Sequence, residues 1–273
     1  MLHSMAKLHK SKWLDATKLG ERADGGLLEA MQKRATSTAG QFEPEEVSNV
    51  LWALATFGEG ADRGLLEAMQ TRATATAGEF KPQEVANVLW ALAKRGEGAD
   101  RGLLEAMQSR ATALAGEFNP QAVGNVLWAL ATMGEGADRG LLEAMLSRVM
   151  ASAGEFKPQA VGNVLWALAT MGEKVDRGLL DAMLKRAAAT TGEFEPQDIG
   201  HVLWALAVMG ERVDRGLLAA MQKRATGTAS QFKPQSVGYL LWALATMGET
   251  VDQGLLKALQ TRVILTAGDF KPQ

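Results

Sequence analysis

Proline recurs in this 273-residue chain with a fixed period, and that period constrains the fold more than any other feature. Each proline lies 38 residues after the one before it, and six of the seven tryptophans keep the same spacing. The periodic residues are Pro44, Pro82, Pro120, Pro158, Pro196, Pro234 and Pro272, with Trp52, Trp90, Trp128, Trp166, Trp204 and Trp242. An unbroken phase over six units indicates an array of structural repeats.

Each unit is predicted to form two helices, called here the A helix and the B helix. The proline suits the first position of the A helix. Phe80 and Val85 flank this start as a hydrophobic staple. Gly96 is expected to end the A helix and Gly116 the B helix, both in the left-handed C′ position. Asp100 is expected to cap the B helix between them, and no alternating strand pattern occurs in the sequence.

The repeat pattern predicts how the units assemble. Two helices of about 14 residues cannot bury a core alone, so the units must stack. The expected fold is therefore all-α: a right-handed α-solenoid of 38-residue helix-turn-helix repeats. We expect a degenerate N-terminal hairpin over residues 1–43, six repeats over residues 44–271 and the start of a further repeat at residues 272–273. We therefore also expect the chain to be part of a longer array.

Composition excludes several classes of function. The chain has no cysteine, three histidines and a net charge of −2. Thiol catalysis, zinc ribbons and iron–sulfur ligation are excluded, and no metal or cofactor site is predicted. We call the residues at one position of successive repeats a column. The acidic residues occur in such columns, whereas a catalytic site needs a unique arrangement of residues, so no enzymatic activity is expected. No apolar stretch is long enough to predict a transmembrane helix.

The glycine-rich segment GEGADRG, residues 58–64, superficially resembles a phosphate-binding loop. Its spacing differs from the dinucleotide fingerprint, and a predicted helix rather than a strand precedes it. Asp62 would also cap the amides that a phosphate needs. The glycines are better explained by a C′ turn and by a close helix contact.

The A helix is predicted to have an apolar stripe and an opposite polar strip. Val85, Val88, Leu89 and Leu92 form the apolar stripe. The polar strip should recur once per unit on one surface, and solenoids bind ligands along such surfaces. The predicted ligand-binding residues are Asn49, Asn87, Asn125, Asn163, His201 and Tyr239, with Gln83, Gln121, Gln159, Gln197, Gln235 and Lys94.

The column that contains Asn87 has three possible explanations. Its side chains can hydrogen-bond a base edge, and the histidine and the tyrosine can also stack on a base. Exposed residues can instead vary freely, or an asparagine can bridge to the adjacent hairpin. The Glu84 and Lys81 columns also vary between repeats. Either these residues vary freely, or their differences determine which ligand each repeat binds.

Three other columns admit a structural and a functional explanation. The tryptophans are expected in the core, with a stacking platform as the alternative. The column Arg34, Arg72, Arg110, Arg148, Arg186, Arg224 and Arg262 is expected to form a ladder with the columns of Glu59 and Asp62. Phosphate contact is its alternative. The Arg63 column begins the B helices and is expected to be solvated, with a basic stripe as the alternative.

The segments FKPQEVANVLWALAKRG and FNPQAVGNVLWALATMG closely resemble octotricopeptide repeats, over Trp13 to Gln273. The resemblance implies sequence-selective binding of single-stranded RNA, about one nucleotide per unit, in RNA stability, processing or translation. It also implies a chloroplast or mitochondrial location, and the basic segment Met1–Lys12 loosely resembles a transit peptide. The C-terminal RAP domain of several relatives is not visible. Ala61–Leu65 departs from the Pro-Pro-Pro-Glu-Trp-like stretch of the family.

Two functions are therefore compared. The first is a modular RNA-binding array that reads about six bases with its A helices. The second is a protein-interaction scaffold of the HEAT or armadillo type, which the slightly acidic balance suits equally well. Near-neutral units predict that few phosphates are neutralised and that binding depends weakly on salt. A monomer that binds no membrane is expected in either case.

Overall fold

The computed structural model describes residues 25–57, 62–96, 100–134 and 138–265 of the chain. In these ranges it contains α-helices and short 3-10 helices, and no strand. The α-helices are α1 (Gly25–Ser37), α2 (Pro44–Phe57), α3 (Arg63–Ala75), α4 (Pro82–Arg95), α5 (Arg101–Ala113), α6 (Pro120–Met133), α7 (Arg139–Ser152), α8 (Pro158–Met171), α9 (Arg177–Thr190), α10 (Pro196–Met209), α11 (Arg215–Gly227), α12 (Pro234–Thr246) and α13 (Gln253–Leu265).

Every A helix begins at its proline, as the sequence predicts. The A helices are α2, α4, α6, α8, α10 and α12. Gly96 ends α4 with a φ of 66°, and the equivalent glycines of the later repeats have φ values of 68–70°. A residue with a Cβ atom is disfavoured in that conformation, so glycine supplies the stop. Phe80 and Val85 are both fully buried at the start of α4, where the staple was expected.

Asp100 caps the B helix, also as predicted, because its Oδ1 accepts a hydrogen bond from the Leu103 backbone N–H at 3.0 Å. Gly102 is explained by this cap. A Cβ atom at Gly102 would lie 3.1 Å from the same carboxylate oxygen, so a larger residue would crowd the aspartate. The close contact is therefore with the glycine's own capping residue, and the expected contact with another helix is wrong for this glycine.

The expected stop at Gly116 is also wrong. Helix α5 ends at Ala113, and Gly116 lies within a 3-10 helix, Ala115–Glu117. The same short turn follows each B helix from α1 to α11, at Ala39–Gln41, Ala77–Glu79, Ala115–Glu117, Ala153–Glu155, Thr191–Glu193 and Ala229–Gln231. The turn leads to the phenylalanine that precedes the next A helix, which is fully buried in every case but Phe42.

The chain divides into two compact units, residues 1–145 and 146–273. In the first unit, α2, α4 and α6 pack side by side, and the B helices α1, α3 and α5 pack in a second layer. In the second unit, α8, α10 and α12 pack side by side, with α9, α11 and α13 as the corresponding B helices. Each unit is thus a stack of helical hairpins, which confirms an all-α helical-repeat fold of the solenoid class. The domain boundaries at residues 43 and 271 stay predictions, and residues 1–24 and 266–273, with the proposed leader, lie outside the described ranges.

The arginine column joins consecutive hairpins through backbone carbonyls. Arg110 Nε donates to the Phe80 carbonyl at 2.8 Å, thirty residues earlier in the chain. Arg72, Arg186, Arg224 and Arg262 do the same to Phe42, Phe156, Phe194 and Phe232 at 2.5–2.8 Å. The Nε partner of these arginines is thus a backbone carbonyl, and Asp62, which was expected in a ladder with them, caps its own helix instead. Glu59 lies outside the described residues.

Replacing Arg110 by methionine is expected to lower the free energy of unfolding by about 1–3 kcal/mol, because it removes the partner of a buried carbonyl. Urea unfolding measures the loss. The matched control is Arg101→Met on the same helix, whose exposed guanidinium pairs with Glu105 at 3.0 Å. That surface pair contributes less than about 1 kcal/mol. Equal losses from the two variants would contradict a structural role for the arginine column.

Candidate nucleic-acid interface

One stripe of the A helix combines amide, aromatic and polar side chains. On α4 the stripe contains Gln83, Asn87, Trp90 and Lys94. Steps of four, three and four residues keep these side chains on one side of a helix. Gln83 and Lys94 are exposed, whereas Asn87 and Trp90 are partly buried. We call this surface, repeated on each A helix, the A-helix face.

The tryptophans form ladders on this face. In the first unit the ring centroids of Trp52 and Trp90 are 6.1 Å apart, and those of Trp90 and Trp128 are 6.5 Å apart. The planes of these pairs are inclined by 24° and 31°. All three residues are partly buried, so the expectation that the column is core holds only in part. Each ring packs against its neighbour in the adjacent hairpin.

The ladder of the second unit is broader, because two members of the asparagine column are aromatic there. Trp204 lies 6.1 Å from Trp166 and 6.4 Å from Trp242, and Trp242 is 46% exposed. The His201 ring lies 5.7 Å from that of Trp166 and 6.2 Å from that of Tyr239. Two aromatic columns therefore cover this part of the A-helix face.

The predicted ligand-binding residues differ in accessibility. The five glutamines (Gln83, Gln121, Gln159, Gln197 and Gln235) and Lys94 are exposed. Asn49, Asn87, Asn125 and Tyr239 are partly buried, whereas Asn163 and His201 are only 7% and 6% exposed. Hairpins of the first unit thus offer more of their asparagine side chains to a ligand than the hairpins of Asn163 and His201 do.

The glutamine column contacts the asparagine column one turn later. Gln83 Nε2 donates to Asn87 Oδ1 at 3.0 Å, and Gln235 Nε2 donates to the Tyr239 hydroxyl at 2.9 Å. Asn119 of the following hairpin donates to Gln83 Oε1 at 3.4 Å. The amides of Gln83, Asn87 and Asn119 are therefore oriented by one another.

The variable column of Glu84 has a structural role at the start of the A helix. Glu84 accepts a hydrogen bond from the Lys81 backbone N–H at 2.8 Å, and Asp198 accepts one from Glu195 at 3.0 Å. Where the column has alanine at Ala122, Asn119 caps the helix with its own side chain at 2.9 Å. At these three helices the residue in this column is therefore matched to the way in which the helix is capped.

The Arg63 column is solvated, as expected. Arg63, Arg101 and Arg139 form exposed ion pairs with the glutamates four residues later, at 2.9–3.0 Å. Each pair neutralises its arginine, so these residues do not make a basic stripe.

Two buried ionisable groups lie one turn apart on α10. Burial raises the pKa of Asp198 to about 6, although its hydrogen bond from Glu195 acts in the opposite direction. Burial lowers the pKa of His201 to about 4. His201 is therefore neutral near pH 7, and its imidazole acts there as a polar, stacking ring rather than as a cation.

Other kinds of site find no support in the described parts of the chain. No group of three or more histidine, aspartate or glutamate side chains there is arranged to hold a metal ion. No described helix combines the length and apolar character that a membrane span requires. The A-helix face has amide groups beside aromatic rings. The sequence signal for the position of the tryptophans on this face is their spacing three residues after the asparagine column.

Comparisons with known proteins agree with a repeat protein and add little about function. A family described as a protein of unknown function, DUF1601, matches residues 21–51, 60–89 and 211–241, about a third of the chain. No curated protein matches the chain significantly. The matched stretches lie in corresponding parts of different repeats, and the chain is a helical-repeat protein.

Two crystal structures of engineered proteins from the Northeast Structural Genomics Consortium are similar to the chain. The first is 11% identical over 80% of this chain and 97% of its own, with a TM-score of 0.23. The second is 11% identical over 96% of this chain and 67% of its own, with a TM-score of 0.24. At these TM-scores neither similarity bears on fold or function.

Proposed function

We propose that the A-helix face binds single-stranded RNA, with successive hairpins contacting successive bases. The observation that carries the proposal is the arrangement of one amide column beside one tryptophan ladder, with ring centroids 6.1–6.5 Å apart within each unit. Single-stranded RNA exposes base edges that amides can hydrogen-bond and rings that aromatic side chains can contact. The resemblance to octotricopeptide repeats leads to the same ligand class.

Electrostatics shape the expected binding mode. Arg63, Arg101 and Arg139 at the starts of B helices are paired with carboxylates. Lys94 occupies a position that is threonine or valine in the other repeats. Few phosphates are therefore neutralised, so base contacts supply a large share of the affinity. We expect a shallow dependence of the dissociation constant on salt concentration.

Selection from a random single-stranded RNA pool tests the proposal. The wild-type protein should enrich a defined motif, and the double variant Asn87→Ala with Asn125→Ala should bind the winners at least about tenfold more weakly, since each base contact contributes about 1–3 kcal/mol. The matched control is Thr74→Ala with Thr112→Ala. Both threonines are exposed on B helices and hydrogen-bond only to their own helix in the contacts described.

The control variant should bind like the wild type. Loss of binding in both double variants, or retention in both, would argue against the A-helix face as the interface. Failure of the wild-type protein to enrich any motif would reject RNA binding, and a peptide display library would then test the protein-interaction scaffold. An organelle location stays part of the proposal, and imaging of the fluorescently tagged chain in a cell with chloroplasts and mitochondria would test it.

A further inference from the structure

The hydrogen bonds around Gln83 determine which atom of each side-chain amide donates and which accepts. A backbone N–H can only donate, and that of Ala122 donates to Asn119 Oδ1 at 2.9 Å. The other end of the Asn119 amide, Nδ2, must then donate, and it lies 3.4 Å from Gln83 Oε1. The helix cap therefore fixes the orientation of the asparagine, and the asparagine orients the glutamine.

The same logic continues to the predicted base-reading residue. With its oxygen facing Asn119, Gln83 directs Nε2 to Asn87 Oδ1 at 3.0 Å. The oxygen of Asn87 is thereby engaged, and its Nδ2 group, a donor, is left for a ligand. The backbone N–H of Ala122 thus determines, through the side chains of Asn119 and Gln83, which end of the Asn87 amide is available on the A-helix face.

We propose that Gln83 sets the hydrogen-bond polarity that the α4 hairpin offers to a base, and that it makes this hairpin a donor. This inference rests on the proposed RNA binding. A donor favours the keto bases uracil and guanine, which have a carbonyl where cytosine and adenine have an amine. Gln235 acts alike, because it donates to the Tyr239 oxygen and leaves the hydroxyl proton for a ligand.

The first A helix contains the opposite case. Glu45 occupies the position of Gln83 there, four residues before Asn49. A carboxylate can only accept, so it favours the asparagine orientation in which the amide nitrogen faces Glu45 and the oxygen faces outward. By the same reasoning, that hairpin should favour the amino bases.

Selection from a random single-stranded RNA pool with polarity variants tests this inference. Gln83→Glu should replace uracil or guanine by cytosine or adenine at one motif position, with a preference of about tenfold in each direction. Asn119→Asp keeps the cap but loses the donor, and it should relax selectivity at that same position. Thr112→Glu adds the same charge on an exposed B-helix site, and its motif should equal that of the wild type.

The outcomes separate the two proposals. An unchanged base preference in Gln83→Glu, or an amino base selected by the wild type at the position that Asn87→Ala alters, overturns the polarity inference while RNA binding stands. A wild-type protein that enriches no motif rejects RNA binding and this inference together. A Thr112→Glu motif that shifts as Gln83→Glu does would assign the effect to charge and overturn the inference as well.

Discussion

Phe80→Ala is expected to lower the free energy of unfolding by about 3–5 kcal/mol, the loss typical of a large buried aromatic residue. Phe80 is fully buried between the 3-10 helix Ala77–Glu79 and the first turn of α4. It belongs to a column of fully buried residues, Phe80, Phe118, Phe156, Phe194 and Phe232. Removal of the ring leaves a cavity at the junction of two hairpins, where neither can collapse to fill it.

Phe42 provides the matched control for this prediction. It occupies the same column before α2 but is only partly buried. Its carbonyl also accepts a hydrogen bond from an arginine, as that of Phe80 does, so Phe42→Ala keeps the backbone contact and removes less buried surface. Chemical denaturation should show a clearly smaller loss for Phe42→Ala. Equal losses would mean that burial of the ring does not determine the stability at this column.

His201→Asn is expected to reveal a pH dependence that the wild-type protein conceals. In the unfolded chain the pKa of a histidine is about 6.5 and that of an aspartate is about 3.9. The low folded pKa of His201, about 4, contributes stability above pH 6.5 that is lost as the pH falls towards 4. The raised folded pKa of Asp198, about 6, contributes stability below pH 4 that is lost as the pH rises towards 6.

These two contributions oppose each other over the same pH range. Each corresponds to about 3 kcal/mol, so the stability of the wild type should be nearly flat between about pH 4 and 6. His201→Asn introduces the residue found at this position in four of the other five A helices, and the stability of the variant should fall as the pH rises through that range. Asp198→Ala introduces the residue found at Ala122 and Ala160, and its stability should rise. Urea unfolding at several pH values measures both, and parallel curves for the two variants would contradict the assignment.

Features that depend on neighbouring residues in the chain could be predicted from the sequence. The start at Pro82, the stop at Gly96 and the cap at Asp100 each depend on local backbone chemistry, and the structure has all three. Gly116 misled the prediction because a 3-10 turn, Ala115–Glu117, follows the helix. The arginine column misled it because the partner is a backbone carbonyl thirty residues away, and every residue type provides such an acceptor.

The candidate site was only partly predictable for a related reason. A helical wheel predicts that Gln83, Asn87 and Lys94 lie on one strip, because this placement depends only on the geometry of a single helix. The partial exposure of Trp90 depends on its contacts with Trp52 and Trp128, and these contacts arise only when hairpins stack. The direction of the Gln83 and Asn87 hydrogen bonds likewise requires Asn119 of the next hairpin.

Photo-crosslinking of RNA would test most directly the central claim that the A-helix face binds single-stranded RNA. A selected RNA containing 4-thiouridine would be irradiated with the full chain, and mass spectrometry would locate the crosslinked peptides. The account predicts crosslinks to the A helices, residues 82–95 and 120–133, near the tryptophan ladder. Crosslinks confined to the B helices, residues 63–75 and 101–113, or no crosslink despite measurable binding, would contradict it.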